Sequence, residues 1–288
     1  MKNIFMTIAY DGSRYHGWQR QPVDTNGLTV QGELERVLTQ VIGEPITIDG
    51  TSRTDAGVHA YGQCATFQGD FSIPADRIKI AANNYLAGSK NRETGDIRIT
   101  DIKEVPEGFH ARFDAKGKEY LYRISVSPEP DVFRKNYCYQ LREPLDIEAM
   151  RAASQYIVGT HDFKCFQASG GEEKETTVRT IHSLEIVEEP RCCVAAYSHE
   201  PLQGENDATG DITIAVSGDG FLYNMVRIIV GTLVEVGYGK RTPESVKDTI
   251  ESKDRTKAGF TAPPQGLYLN RVYYDANAVK RTINVYCK

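Results

Sequence analysis

Residues 50–60 read GTSRTDAGVHA and place one carboxylate, Asp55, between Arg53 and the small Ala56-Gly57 pair. An aspartate beside glycine is ordinarily a turn residue that accepts hydrogen bonds from its own backbone. Here Arg53, Thr54 and His59 keep it company, and Gly50, Gly57 and Gly62 let a ligand approach the chain closely. An ionised aspartate in such a place suits nucleophilic or electrostatic work rather than proton donation. A second charge stands out at Arg227, inside the apolar run FLYNMVRIIVGTLVEVG at 221–237. A guanidinium among apolar side chains needs a buried anion. Asp219 is the local choice, although its side chain could instead cap a helix. Asp55 is the distant choice, and an arginine beside it would keep that carboxylate ionised at neutral pH.

Other candidates are less sharply drawn. Tyr120 alternates with Tyr122, Ile124 and Val126, which from periodicity alone is a tyrosine stripe in a strand core. FHARFDAKGKEY supplies Arg112, Lys116 and Lys118 against Asp114 and Glu119. YDGSRYHGWQRQP mixes Tyr10, Tyr15, His16 and Trp18 with Arg14 and Arg20. Cations interleaved with aromatics suit RNA, but each stretch is equally compatible with a solvated turn. The six cysteines form no Cys-x-x-Cys pair, so neither a metal site nor a disulfide framework is expected.

These residues need elements to position them. IFMTIAYDG alternates as a half-buried strand, and Val30, Leu34, Val37, Leu38, Val41 and Ile42 fall at helical spacing. ITIDG reads as a strand entering the Asp55 motif and GQCATFQ as the strand leaving it. Pro74 opens a helix, and DIRITDIKEV is a strand. KEYLYRISV, HSLEIVEE, DITIAVSG and GLYLNRVYYD read as further strands. DIEAMRAASQYIVG is a helix that Asp146 could cap, an apolar helix begins near Phe221, and PESVKDTIES follows it. The expected class is α+β, with two similar lobes, 1–105 and 106–288, around one continuous, mostly antiparallel sheet.

A chain of 288 residues, 40% hydrophobic and 25% charged, is a folded protein of two ordinary lobes. Its opening, MKNIFMTIAYDGSRY, alternates where a secretion signal would be uniformly apolar, and the run at 221–237 is too short and too charged to span a membrane. A cytoplasmic protein with no membrane partner is expected. The net charge is −5, but residues 185–219 carry eight acids against Arg191 alone, which leaves the remainder slightly basic. Global charge therefore neither favours nor excludes RNA.

The ordered set YDGSRYHGWQRQ, SRTDAGVHA, FHARFDAKGKEYLYRI, DFKCF, NMVRIIVGTLVEVG and PPQGLYL, spread across nearly the whole chain, closely resembles the TruA family of bacterial tRNA pseudouridine synthases. The resemblance implies isomerisation of uridines 38, 39 and 40 in the tRNA anticodon stem-loop, without metal or cofactor, by a homodimer whose active-site cleft lies between the lobes. It makes Asp55 the catalytic nucleophile and Arg53 the side chain that takes the place of the flipped base. Tyr120 becomes the ring that stacks on the uracil, against the core reading above, and Arg227 the partner of Asp55. Arg14, Arg20 and Arg112 are the expected further RNA contacts. Two other classes remain open: a non-catalytic RNA-binding module, and an N-ribosyl hydrolase, which would need a second carboxylate such as Asp11 or Asp114. The acidic stretch 185–219 is expected to loop away from the RNA.

Overall fold

The computed structural model describes residues 1–21, 28–88, 95–170, 175–189 and 210–279. In chain order these form β1 (Lys2–Tyr10), α1 (Val30–Ile42), β2 (Asp49–Gly50), β3 (His59–Gly69), α2 (Ala75–Leu86), β4 (Ile97–Val105) and β5 (Gly117–Val126). There follow β6 (Tyr139–Leu141), α3 (Ile147–Ser154), β7 (Gly159–Asp162), β8 (Val178–Glu189), β9 (Gly210–Gly218), α4 (Met225–Gly237), α5 (Ser245–Ser252), β10 (Leu267–Tyr273) and α6 (Ala276–Val279). The strands pair in a mixed, largely antiparallel pattern, and the class is α+β as expected. No helix among the described residues is long and apolar enough to cross a membrane. The stretch 185–219, expected to loop away as a whole, instead pairs its two ends as β8 and β9, Glu189 opposite Asp211; its middle, 190–209, lies outside the described residues.

The chain divides into two compact units, Met1–Glu119 with Tyr268–Ala278, and Tyr120–Leu267 with Val279. In the first, the strand order is β4-β1-β3-β10, with β2 beside β3. β1 is antiparallel to β3, setting Ile4 opposite Phe67 and Met6 opposite Ala65. Its period-two pattern sends Ile4, Met6 and Ile8 into the core, where they are fully buried. Helix α1 is capped by Thr29, whose hydroxyl accepts the Gly32 amide at 3.2 Å, and it ends at Gly43 with φ +89°. Val30, Leu34, Val37 and Leu38 are fully buried along one stripe, each contributing about 1.5–3 kcal/mol of apolar transfer.

The strand expected through ITIDG shrinks to Asp49–Gly50. The reason is that α1 claims the preceding backbone: the Ile46 amide donates to Thr39 Oγ1 at 3.0 Å and the Ile48 amide to Glu35 Oε1 at 3.0 Å. Amides committed to side chains cannot join a ladder. The chain's late return, β10, lies parallel to β3 with Tyr268 opposite His59. Tyr268 stacks on His59 (centroids 4.7 Å apart) and on Tyr61 (5.2 Å). Close approach here requires Gly62, where a Cβ would sit 2.5 Å from the Asn270 carbonyl oxygen.

In the second unit the order is β5-β9-β8-β7, with β6 parallel to β5. α3 is capped by Asp146, as expected, through the Ala149 amide at 2.9 Å. α4 is buried almost all round, and the segment 258–263 runs directly over it. At Gly231 a Cβ would stand 1.9 Å from the Phe260 carbonyl oxygen, and the Gly259 amide donates to Thr232 Oγ1 at 2.9 Å. The helix begins at Met225, later than the sequence suggests, because Asn224 adopts left-handed backbone (φ 59°) and interrupts the helical repeat.

Glu119, 4% exposed, ties β10 to the first unit: it accepts hydrogen bonds from Asn270 Nδ2 and, at 2.6 Å, from the Tyr273 hydroxyl. Burial and the adjacent Glu119 carboxylate push the Tyr273 phenol well above the usual tyrosine range, which keeps it a donor. Replacing Glu119 by Ala should orphan the buried Tyr273 hydroxyl and the half-buried Asn270 amide and cost about 2–3 kcal/mol in denaturant unfolding, with Glu119→Gln costing less. A loss of less than about 0.5 kcal/mol in Glu119→Ala would show that β10 is held by other means.

Candidate active site

The Asp55 loop, residues 51–58, joins β2 to β3 and is anchored on every side. Thr51 donates its amide to the Cys64 carbonyl at 2.8 Å, and its buried hydroxyl lies 3.0 Å from both the Cys64 and Ala111 carbonyl oxygens. Gln63, fully buried, grips Ser52 twice: Nε2 donates to the Ser52 carbonyl at 2.6 Å and Oε1 accepts the Ser52 amide at 3.2 Å. The Lys118 ammonium donates to the Thr51 carbonyl at 3.0 Å and to the Ser52 hydroxyl at 3.3 Å. Thr54 meets the Tyr10 hydroxyl at 2.7 Å. A turn then carries Asp55, closed by the Val58 amide donating to the Asp55 carbonyl at 3.1 Å, with Gly57 at φ +78°. Asp55 is half-buried and Arg53 exposed.

The N-terminal motif turns out to be the cradle of this loop. The Trp18 amide donates to the Thr54 carbonyl at 3.0 Å, and the Gly57 amide to the Tyr15 carbonyl at 3.4 Å. Gly12 and Gly17 are required for the approach: a Cβ would fall 2.0 Å from Val58 O at the first and 2.5 Å from Thr54 O at the second, where φ is +88°. Trp18, 3% exposed, covers Gly50, where a Cβ would lie 2.3 Å from the indole nitrogen. Tyr10 and Trp18 therefore belong to the core and are not surface platforms. His59 Nδ1 accepts the Gly12 amide at 3.1 Å. That nitrogen consequently carries no proton toward Asp11 Oδ1 at 3.3 Å, and the contact is no ion pair in this tautomer.

The other three arginines expected to contact RNA, Arg14, Arg20 and Arg112, are exposed. Arg14 reaches Asp96 at 3.2 Å, Arg20 reaches Glu35 at 3.3 Å, and Arg112 lies over the Phe113 ring at 5.8 Å. A surface pair such as Arg14–Asp96 is worth about 0–1 kcal/mol, so exchanging that carboxylate for a phosphate costs little, whereas Arg20 faces the buried Glu35. The two candidates for the second carboxylate of a hydrolase both accept local hydrogen bonds. Asp11 Oδ1 accepts the Ser13 amide (2.9 Å) and hydroxyl (2.6 Å), and Asp114 Oδ2 accepts the His110 amide at 2.8 Å.

In the second unit, β5 and α4 are linked through the segment before β10. Tyr120 is 6% exposed and meets Phe221 edge-to-face, centroids 5.1 Å apart. Tyr122, fully buried, donates its hydroxyl to the Pro263 carbonyl at 2.8 Å. Burial drives its phenol far above the usual range, with nearby Arg227 the opposing influence. Arg227 is half-buried; its Nε donates to the Ala262 carbonyl at 2.7 Å and Nη1 to Asn224 Oδ1 at 2.8 Å. Neutral oxygens thus take two of its five donors, a role for Asn224 that apolar periodicity did not signal. Asp219, the local anion considered above, accepts the Thr180 amide at 3.0 Å. Gln63, Thr51 and Lys118 were also missed as supports: a buried glutamine leaves no mark on a period-two strand, and Lys118 read only as part of a basic patch.

A family model described as tRNA pseudouridine synthase matches residues 6–114 and 152–275, most of the chain. The chain belongs to the tRNA pseudouridine synthase family. It is 46% identical over 275 residues to tRNA pseudouridine synthase A of Geobacillus sp. (strain WCH70), covering 95% of this chain and 99% of that one. It is similarly 44% identical to tRNA pseudouridine synthase A of Ruminiclostridium cellulolyticum over 95% and 100%, and 42% identical to tRNA pseudouridine synthase A 2 of Clostridium tetani over 95% and 99%. The matched segments include Arg53, Asp55 and Arg227, while Tyr120 falls between them.

Trp18 is the chain's single tryptophan, so its fluorescence reports on the loop it covers. Gly17→Ala should shift Trp18 emission to longer wavelength and lower stability by more than about 1 kcal/mol, since Ala is strained at positive φ as well as crowded. Unchanged emission would contradict the cradle role.

Proposed function

We propose that this chain isomerises uridine to pseudouridine in tRNA, with Asp55 as the group that acts at C1′. The observation that carries the reading is the placement of Asp55 on a turn whose flanks are locked by buried hydrogen bonds, within the matched segment 6–114. Such anchoring suits a reacting group that must hold its position while the substrate moves.

The reaction breaks the bond from C1′ to N1, turns the freed uracil, and forms a bond from C1′ to C5. N1 gains a proton and C5 loses one, so nothing is consumed. A base inside a stack cannot undergo this, and the uridine must leave it at a cost of a few kcal/mol. Stacking on Tyr120, worth about 1–3 kcal/mol, and insertion of Arg53 where the base had been offset that cost. Asp55 either attacks C1′ or removes the C2′ proton to give a glycal. Both routes need it ionised, the role assigned to Arg227. Tyr120 also takes part when the C5 proton leaves. Arg14, Arg20 and Arg112 supply contacts to the RNA backbone. The anticodon stem-loop with its uridines 38–40 as target, assembly as a homodimer, and a cytoplasmic location belong to the same proposal, supported by the TruA resemblance.

With tRNA carrying C5-tritiated uridine, the wild type should release tritium and leave the strand free of abasic sites. Asp55→Asn should lower that release by about 10⁴-fold or more, and Arg227→Met by about 10- to 100-fold. Full release by Asp55→Asn would remove Asp55 from the reaction. Binding without release would identify an RNA-binding module, and abasic sites a hydrolase.

A further inference from the structure

Phe113 is 73% exposed at the tip of the turn 110–114, and this turn is unusually well closed. The Asp114 amide donates to the His110 carbonyl at 3.0 Å, the His110 amide to Asp114 Oδ2 at 2.8 Å, and the Arg112 amide to His110 Nδ1 at 3.1 Å. Beneath it, Ala111 is fully buried and pinned from both sides. Its carbonyl accepts the Tyr274 hydroxyl at 2.9 Å and lies 3.0 Å from Thr51 Oγ1, and its amide donates to Thr66 Oγ1 at 3.3 Å. The turn therefore cannot fold inward to bury its phenylalanine, and it shares Thr51 with the Asp55 loop.

The exposed ring has chosen companions. It packs against the His110 imidazole with centroids 4.3 Å apart, and the Arg112 guanidinium sits 5.8 Å from its centroid. Because His110 Nδ1 accepts an amide, its proton resides on Nε2, which faces Asp49 at 3.8 Å. An exposed ring on a closed turn, with a guanidinium over it, complements a nucleotide, whose base stacks with the aromatic and guanidinium planes and whose phosphate meets the cation.

We propose that Phe113, flanked by His110 and Arg112, is a platform that stacks a second nucleotide of the RNA substrate, other than the uridine that reacts. This rests on the RNA reading above and adds a positioning contact to it. The platform fixes the RNA relative to Asp55 because both hang from Thr51.

Binding of an unmodified tRNA transcript is measured in an Asp55→Asn background, so that turnover does not intervene. Phe113→Ala and Phe113→Leu should each raise Kd about 5- to 100-fold, the worth of one base stack, whereas Phe113→Trp should stay within about 3-fold. The leucine separates stacking from apolar bulk, and unchanged melting temperatures show that each variant folds. Equal Kd for all variants overturns the platform while leaving the RNA reading intact. So does a change in sedimentation without a change in Kd, which makes the ring a protein contact. Failure of the background variant to bind tRNA overturns the RNA reading and the platform with it.

Discussion

The double hydrogen bond between buried Gln63 and the backbone of Ser52 is the constraint from which the candidate site follows. It converts a glycine-bearing connection into a fixed platform three residues ahead of Asp55. A fully buried amide side chain must be paired on both its donor and acceptor sides, and Ser52 supplies both partners. Displacing the loop would orphan the Gln63 Nε2 donor, Oε1 keeping the Cys64 amide, as well as the groups that Thr51 pairs, at about 1–3 kcal/mol per buried group. The loop is thus held by the unmade alternatives as much as by the bonds themselves.

The surrounding residues divide the labour. Gly12 and Gly17 permit contact between two backbones, Trp18 roofs Gly50, and Lys118 places a cation against the Thr51 carbonyl. In the second unit the segment 258–263 does the corresponding work. Its carbonyls at Ala262 and Pro263 receive Arg227 and Tyr122, so a helix side chain and a strand side chain are oriented by one stretch of chain. The motif PPQGLYL has a structural meaning in consequence: Gly266 is where a Cβ would lie 2.7 Å from the Tyr122 ring.

Much of this was legible in the sequence where the determinant is local. The stripe of α1 holds at Val30, Leu34, Val37 and Leu38, and the alternation of β1 at Ile4, Met6, Ile8 and Tyr10 and of β5 at Tyr120, Tyr122, Ile124 and Val126, all of them buried. Asp55 stood out because its neighbours permit close approach, and Arg227 because a guanidinium is conspicuous in an apolar helix. What escaped notice depends on contacts between distant segments. The ITIDG strand is shortened by side chains of α1, the parallel pairing of β10 with β3 joins residues some two hundred apart, and the N-terminal aromatics Tyr10 and Trp18 are buried against Thr54 and Gly50. Composition suggested RNA-facing texture there, and packing decided otherwise.

The central claim is that the loop presents the carboxylate of Asp55 to the sugar of an unstacked uridine. A crystal structure of Asp55→Asn bound to tRNA tests it most directly. The account predicts a uridine outside its stack with C1′ within about 3–3.5 Å of the side chain at position 55. A tRNA bound with every uridine still stacked, or with C1′ beyond reach of that side chain, would contradict it.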